Sequence, residues 1–323
     1  MTVRKMNAER IKYSHIYVLK AICALFVVMY HVGLYCADML IPLTCIAVPC
    51  FYMITGFFLY DENISKVCAR SLRWAKKAFV LALYTNVVYA IFNSLAHVEL
   101  SLKQVVFIVF QGGVIAPHLW YLSALWEALL LFAFIRKFMP EKIIYTLPFL
   151  FSISLLMCSY NFLVPGGFYS GWLCQSFLTV GLPCISVGYL VAKHREILSR
   201  CKHYAYLIAG TLILSFTEEF FLDCNRGTYY LFTIPVSVCI LMVCVNSSAP
   251  ACKWLEKIGE KHSANIYYYH MLVAMMLTSV MQQIPELKWV SAIVVYAGSI
   301  LFSVLVNTGW RYVRRLVPIA GMM

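Results

Sequence analysis

Acidic residues are scarce in this chain: 14 Asp and Glu stand against 26 Lys and Arg among 323 residues, and the four charged types together make up only 12%. A soluble globular domain carries about 25% charged residues, and a disordered chain also needs high polarity and few apolar side chains. With 62% hydrophobic residues, both classes are excluded. Paired cysteines are missing too. The 13 cysteines stand singly, with no C-x-x-C and no histidine-interleaved cluster, so no zinc site or other metal site is expected. They read as small core or lipid-facing residues. Their odd number and unpaired spacing argue against a disulfide framework, with Cys36 and Cys224 left as a pair that could meet at an outer surface. No leader with a basic start, short apolar centre and small-residue cleavage site stands apart, because the run from Ile16 continues as a full span; the N-terminus is expected to be retained. Long hydrophilic stretches are also lacking. The longest connections are about twenty residues, so any chemistry lies within the bundle or at its rims. No internal repeat of the inverted-topology kind is evident.

What the chain has in abundance is apolar length. A transmembrane helix needs about 20 mostly apolar residues, and ten runs supply it: 16–37, 41–60, 78–96, 118–136, 143–161, 172–192, 204–221, 229–247, 264–283 and 289–310. The expected fold is an all-α integral membrane bundle of about ten transmembrane helices. A further stretch, 102–116, carries Gly112 and Gly113, ends at Pro117, and is short for a span. If it re-enters or lies in the interface, 22 of the 26 basic residues fall in inner connections, three (Lys103, Arg226, Lys288) fall outside, and Lys20 lies within the first span. If it crosses, 13 of the 15 basic residues from Arg136 onward, all but Arg226 and Lys288, face outward, against the positive-inside rule. The expectation is therefore a single domain over 1–323 with both termini cytoplasmic, 1–15 and 311–323 being short cytoplasmic segments.

An ionisable side chain inside the hydrocarbon is costly and usually faces the bundle interior. Four qualify: Lys20, His31, Glu127 and His270. Lys20 and His31 are eleven residues apart on one predicted helix, roughly 16 Å along the axis and three turns plus about 20°, so they share a face. Lys20 near the inner end can also be read as a side chain snorkelling to the headgroups. His31, further out, has the side chain suited to proton exchange near neutral pH; a satisfied core histidine is the alternative.

The segment from Leu19-Lys20 through Tyr30-His31 resembles the basic-x10-His motif on the first helix of the acyltransferase-3 family of integral membrane acyltransferases. Val48-Pro49-Cys50-Phe51-Tyr52-Met53-Ile54-Thr55-Gly56-Phe57-Phe58-Leu59 is similar to that family's V-P-x-F-F-x-x-S-G-[FY]-L signature, and Arg70-Ser71-Leu72-Arg73 to its first inner-loop R-x-x-R. Less specifically, His118-Leu119-Trp120-Tyr121-Leu122 resembles H-x-W-[FY]-L, Leu182 to Leu190 resembles L-P-x-F-x-x-G, and Ser263 to His270 resembles a late tyrosine-histidine element. Three departures stand out: Lys20 where arginine is usual, which replaces a planar fork by a point charge; Thr55 for serine; and no proline after R-x-x-R. No fused extracellular hydrolase domain of the SGNH type is expected.

The resemblance implies an O-acyltransferase, expected to be an acetyltransferase, of a bacterial-type cytoplasmic (inner) membrane. The donor would be cytoplasmic acetyl-CoA or another acyl-CoA, used as a substrate with no bound cofactor. The acceptor would be a hydroxyl of a cell-surface or lipid-linked saccharide. On that reading His31 is the general base and Lys20 orients the donor or stabilises the oxyanion. Arg70 and Arg73, helped by Lys76, hold CoA phosphates; the alternative is that these cations are topology signals and lipid contacts. Thr55 donates a hydrogen bond, or serves with Gly56 in close helix packing. Glu127 and Trp120, seven residues apart, share a face that orients a histidine or binds sugar; a structural ion pair and an interfacial aromatic belt are the alternatives. His118 sits at the outer rim, and His270 is a second acid/base candidate or a hydrogen-bonded interior histidine. A proton-coupled transporter or a non-catalytic membrane module is the competing class.

Overall fold

The computed structural model describes residues 13–32, 38–95, 116–166, 171–222, 229–284 and 290–316. The stretch 102–115, Cys36 and Cys224 lie outside the described residues, as do Lys103, Arg226, Lys288 and most of both terminal segments. The described residues form helices and turns without a strand. The main helices are α1 (Ser14–Val32), α2 (Ala47–Leu59), α3 (Ile64–Leu95), α4 (Trp120–Phe138), α5 (Phe151–Met157), α6 (Leu182–Lys193), α7 (Tyr204–Leu222), α8 (Thr233–Asn246), α9 (Lys253–Lys261), α10 (Ser263–Gln283) and α11 (Ser291–Leu316).

Among the described residues, each of the ten apolar runs contains helix. Among the described residues, six helical stretches are long and apolar enough to cross a membrane: Ser14–Val32, Ile41–Leu59, Ile64–Phe92, Pro117–Phe138, Tyr204–Leu222 and Ser291–Gly309. Lys142–Met157, Phe177–Lys193 and Thr233–Asn246 are apolar but shorter. Proline marks the starts. Pro49, Pro183 and Pro235 each sit in the first turn of their helix, where the missing N–H costs no intrahelical bond.

Contacts gather into two compact units, Met1–Ala37 with Pro250–Met323, and Asp38–Ala249. In the first, α1 packs against α9, α10 and α11. Gly259 of α9 makes the closest approach: a Cβ there would lie 1.7 Å from the Tyr17 carbonyl oxygen of α1. The Tyr296 hydroxyl of α11 donates to the Ala21 carbonyl at 2.9 Å.

In the second unit the strongest pairings are α3 with α4 and α2 with α6. The α2–α6 pair is antiparallel and built on reciprocal glycines. A Cβ on Gly56 would stand 2.0 Å from the Ile185 oxygen, and one on Gly188 would stand 1.9 Å from the Met53 oxygen. Lipid is as apolar as a leucine core, so helices in a bilayer gain by close packing rather than by excluding water; the two glycines provide it. The α3–α4 seam is also antiparallel, with Ser71 Oγ donating to the Leu129 carbonyl at 2.7 Å. Val80, Tyr84, Val87 and Ile91 recur at helical spacing on the outside of α3 and are exposed, as expected for a lipid-facing stripe.

One expectation is corrected. Cys158 and Cys174 form a disulfide with Cα atoms 5.9 Å apart, although their spacing matches no recognisable framework. The chain reverses between them at Pro165-Gly166, where Gly166 adopts φ +82°, a conformation that favours glycine. The disulfide joins two cysteines that look isolated in the sequence.

Candidate active site

In the first unit, Lys20 and His31 both lie on α1, as their spacing predicts. Both are half-buried. The Lys20 ammonium stands 5.8 Å from the Tyr17 ring centroid and interacts electrostatically with Glu260 of α9. The Gly259 contact on Tyr17 explains this: without a side chain at 259, α9 reaches the α1 backbone and brings Glu260 into range.

The structure pairs His31 with His270 of α10. Their ring centroids are 5.4 Å apart with planes inclined at 36°, and Tyr30 meets His31 edge-on at 5.2 Å. His270 is completely buried. Its Nδ1 lies 2.9 Å from the Tyr267 carbonyl oxygen and 3.2 Å from that of Ile266. A carbonyl only accepts, so Nδ1 carries the proton and donates it, and in the neutral ring Nε2 is the acceptor. The hydrogen-bonded interior histidine and the acid/base candidate are thus compatible descriptions of one side chain.

A polar network at the α9–α10 junction went unread in the sequence. His262 Nδ1 lies 2.8 Å from Ser303 Oγ, and Asn265 Nδ2 donates to Ser303 Oγ at 3.0 Å and to Asn307 Oδ1 at 3.2 Å. Burial pushes the His262 pKa down, and Lys257 and Lys261 add to the effect. The available signal was Ser299, Ser303 and Asn307 recurring every four residues along an otherwise apolar helix.

In the second unit, Arg70 and Arg73 lie three residues apart on α3, so R-x-x-R is helical. Arg70 caps α2: its Nη1 donates to the carbonyls of Phe58 at 2.7 Å and Tyr60 at 3.3 Å, and its Nη2 pairs with Asp61 Oδ2 at 3.3 Å. A cation at a helix C-terminus is favoured by the unsatisfied carbonyls there. The Asp61 carboxyl is held below the usual carboxylate range, first by the Asn63 backbone N–H and also by Lys66 and Arg70. Arg73, Lys76 and Lys77 are exposed.

Thr55 spends its hydroxyl proton on the Phe51 carbonyl at 2.9 Å. His118 is buried with its ring edge-on to Tyr89 at 5.1 Å, while Trp120 and Glu127 are half-buried on α4. The α3–α4 seam also buries Ser123 and Asn86. Asn86 Nδ2 donates to the Ala82 carbonyl at 2.8 Å, whereas Asn86 Oδ1 and Ser123 Oγ have no hydrogen-bond partner. Asn86 is uncharged and belongs to none of the motifs, so nothing in the sequence marks it.

The first unit thus holds a half-buried histidine beside a buried one, and the second carries exposed cations on α3. The chain belongs to the acyltransferase family whose profile, described as an acyltransferase domain, matches residues 14–308. It is a multi-pass membrane acyltransferase, and the match runs through both units. No curated relative and no solved structure matches the chain.

Proposed function

We propose that this acyltransferase moves an acetyl group from cytoplasmic acetyl-CoA to a hydroxyl of a cell-surface or lipid-linked saccharide, in an inner membrane that it crosses ten times with both termini cytoplasmic. The observation that carries the reading is the His31–His270 pair, on the helix whose sequence bears the basic-x10-His motif. An alcohol is a poor nucleophile until a base takes its proton. His31 takes that proton as the hydroxyl oxygen attacks the thioester carbonyl; the C–O bond forms, the C–S bond breaks, and CoA leaves as a thiolate that recovers the proton. His270 presents Nε2 as an acceptor, the state required to hold an N–H or O–H in a fixed orientation.

Lys20 supplies positive charge for the developing oxyanion. Arg73, Lys76 and the exposed part of Arg70 take phosphates of the donor. Thr55, whose oxygen still has lone pairs, and His118, Trp120 and Glu127 line or support acceptor binding. Outward placement of the loop between Cys158 and Cys174 is supported by their disulfide, since such bonds persist in oxidising compartments. The charge bias gives the same orientation independently.

The test is release of CoA from labelled acetyl-CoA by purified protein supplied with envelope saccharides. Label transferred to the saccharide in an alkali-labile ester supports the reading. Vesicles that accumulate a solute with no acyl donor present, and release no CoA when one is added, would indicate a carrier instead.

A further inference from the structure

In the first unit, α9 is unlike the apolar helices around it. Five of its nine residues, Lys253, Glu256, Lys257, Glu260 and Lys261, are charged. Nine residues rise about 14 Å, less than half of a hydrocarbon core of about 30 Å, so α9 cannot cross a membrane although it stands between α8 and α10 in the chain. Successive residues turn about 100° around a helix. Lys253, Lys257 and Lys261 therefore follow one another at steps of about 40°, and Trp254 falls about 20° beyond Lys261. All four side chains are exposed, Trp254 at 63%. Gly259 faces the opposite way, about 170° from the middle of that arc, and is buried where α9 meets the Tyr17 carbonyl and the Ala21 nitrogen of α1. Leu255 and Ile258 beside it are half-buried. One side of α9 is docked on α1, and the other carries three cations and an indole.

The charge on the outer side is not balanced within the described residues. Lys253 with Lys257, and Lys257 with Lys261, are like-charge pairs at i, i+4, which oppose helix formation. None of the three lysines forms an ion pair with a described residue. Glu260 interacts with Lys20 of α1, and the field of Lys257 and Lys261 reaches His262, where it opposes protonation. A lysine row beside an exposed tryptophan has the chemistry of a headgroup seat. Ammonium groups attract lipid phosphates, and an indole is favoured at the boundary between headgroups and acyl chains. On the orientation proposed above, this face meets the cytoplasmic leaflet, whose surface is negative.

We propose that Lys253, Lys257, Lys261 and Trp254 bind anionic phospholipid headgroups, so that α9 is held between the bilayer surface and the helix that carries Lys20. The proposal uses the chain's place in a membrane and not the acyl-transfer chemistry.

The experiment is quenching of Trp254 fluorescence in the full-length protein, reconstituted in nanodiscs of equimolar phosphatidylcholine and phosphatidylglycerol, with brominated acyl chains on one lipid or on the other. The two preparations differ only in which headgroup carries the quencher, and both leaflets are alike, so the result does not depend on orientation. The Trp254 signal is the difference between wild type and Trp254→Phe. Brominated phosphatidylglycerol quenches that signal about twofold or more beyond brominated phosphatidylcholine, and the excess disappears at about 1 M salt, where exposed charges are screened. Lys253→Gln/Lys257→Gln/Lys261→Gln changes only exposed side chains and loses the preference, whereas Lys253→Arg/Lys257→Arg/Lys261→Arg retains it. Equal quenching by the two lipids in folded wild type, or a preference that survives in the folded triple Gln variant, overturns the proposal and returns the lysines to a topological role. A Trp254 signal quenched by neither lipid also overturns it, because the face then lies in water, open to a soluble partner. Absence of acetyl transfer with the lipid preference intact would sink the saccharide acetyltransferase reading alone.

Discussion

His31 of α1 and His270 of α10 hold their imidazoles 5.4 Å apart, and the Nδ1 proton of His270 is tied to the Tyr267 carbonyl. The first described helix thus finds its histidine partner about 240 residues later, in the same compact unit.

If His270 orients the base, His270→Ala should lower kcat by about 10²–10⁴-fold, the range of a general acid–base contribution, while KM for acetyl-CoA changes little. His31→Ala/His270→Ala together should be no worse than His31→Ala, because residues acting as a unit are not additive. Initial rates of the three variants decide it; additive losses would separate the two residues.

The reciprocal glycines carry a stability prediction. Gly56→Ala and Gly188→Ala drive a methyl into a facing carbonyl and should each cost about 3 kcal/mol or more, the upper end of overpacking. Gly210 of α7 has nothing within 4 Å of its notional Cβ. Gly210→Ala should therefore be neutral or stabilise by roughly 0.5–1 kcal/mol through helix propensity. Unfolding midpoints in detergent make the comparison.

Arg70 and Arg73 should separate by phenotype although they share a motif. Arg70→Gln removes the α2 cap and its Asp61 partner, so stability should fall by about 1–2 kcal/mol along with donor affinity. Arg73 is exposed, and Arg73→Gln should weaken acetyl-CoA binding without a stability change. Equal melting curves together with equal affinities for Arg73→Gln and wild type would return Arg73 to a topological role.

The Glu141–Lys193 pair sets a small acid dependence. Its Lys193 hydrogen bond holds the Glu141 carboxyl below the usual range. The stabilisation is therefore complete above the unfolded carboxylate value near ~4.3 and is lost as pH falls through the lower folded value. The group is well exposed, so screening limits the effect to a few tenths of a kcal/mol. Glu141→Gln should flatten the stability profile between about pH 3 and 5, measured by thermal unfolding.

Apolar length and charge bias made the helices legible, and helical period placed Lys20 and His31 on one helix. Spacing along α1 could not reveal His270 as a partner, because that contact depends on how α1 and α10 pack. The same holds for Gly259, whose importance lies in a carbonyl of another helix. Arg70 shows the opposite limit: its motif was visible, but the capping role arises from where α2 ends. Cys158 and Cys174 were unreadable as a pair because their meeting depends on the path of the chain between them, not on their spacing.

The central claim is that His31 is the base for acyl transfer. Its most direct test is the rate of CoA release from acetyl-CoA by His31→Ala against wild type, with a saccharide that wild type acetylates and with matched melting curves. The account predicts a fall of about 10²-fold or more with acetyl-CoA affinity retained. Wild-type turnover in a folded His31→Ala protein would contradict it.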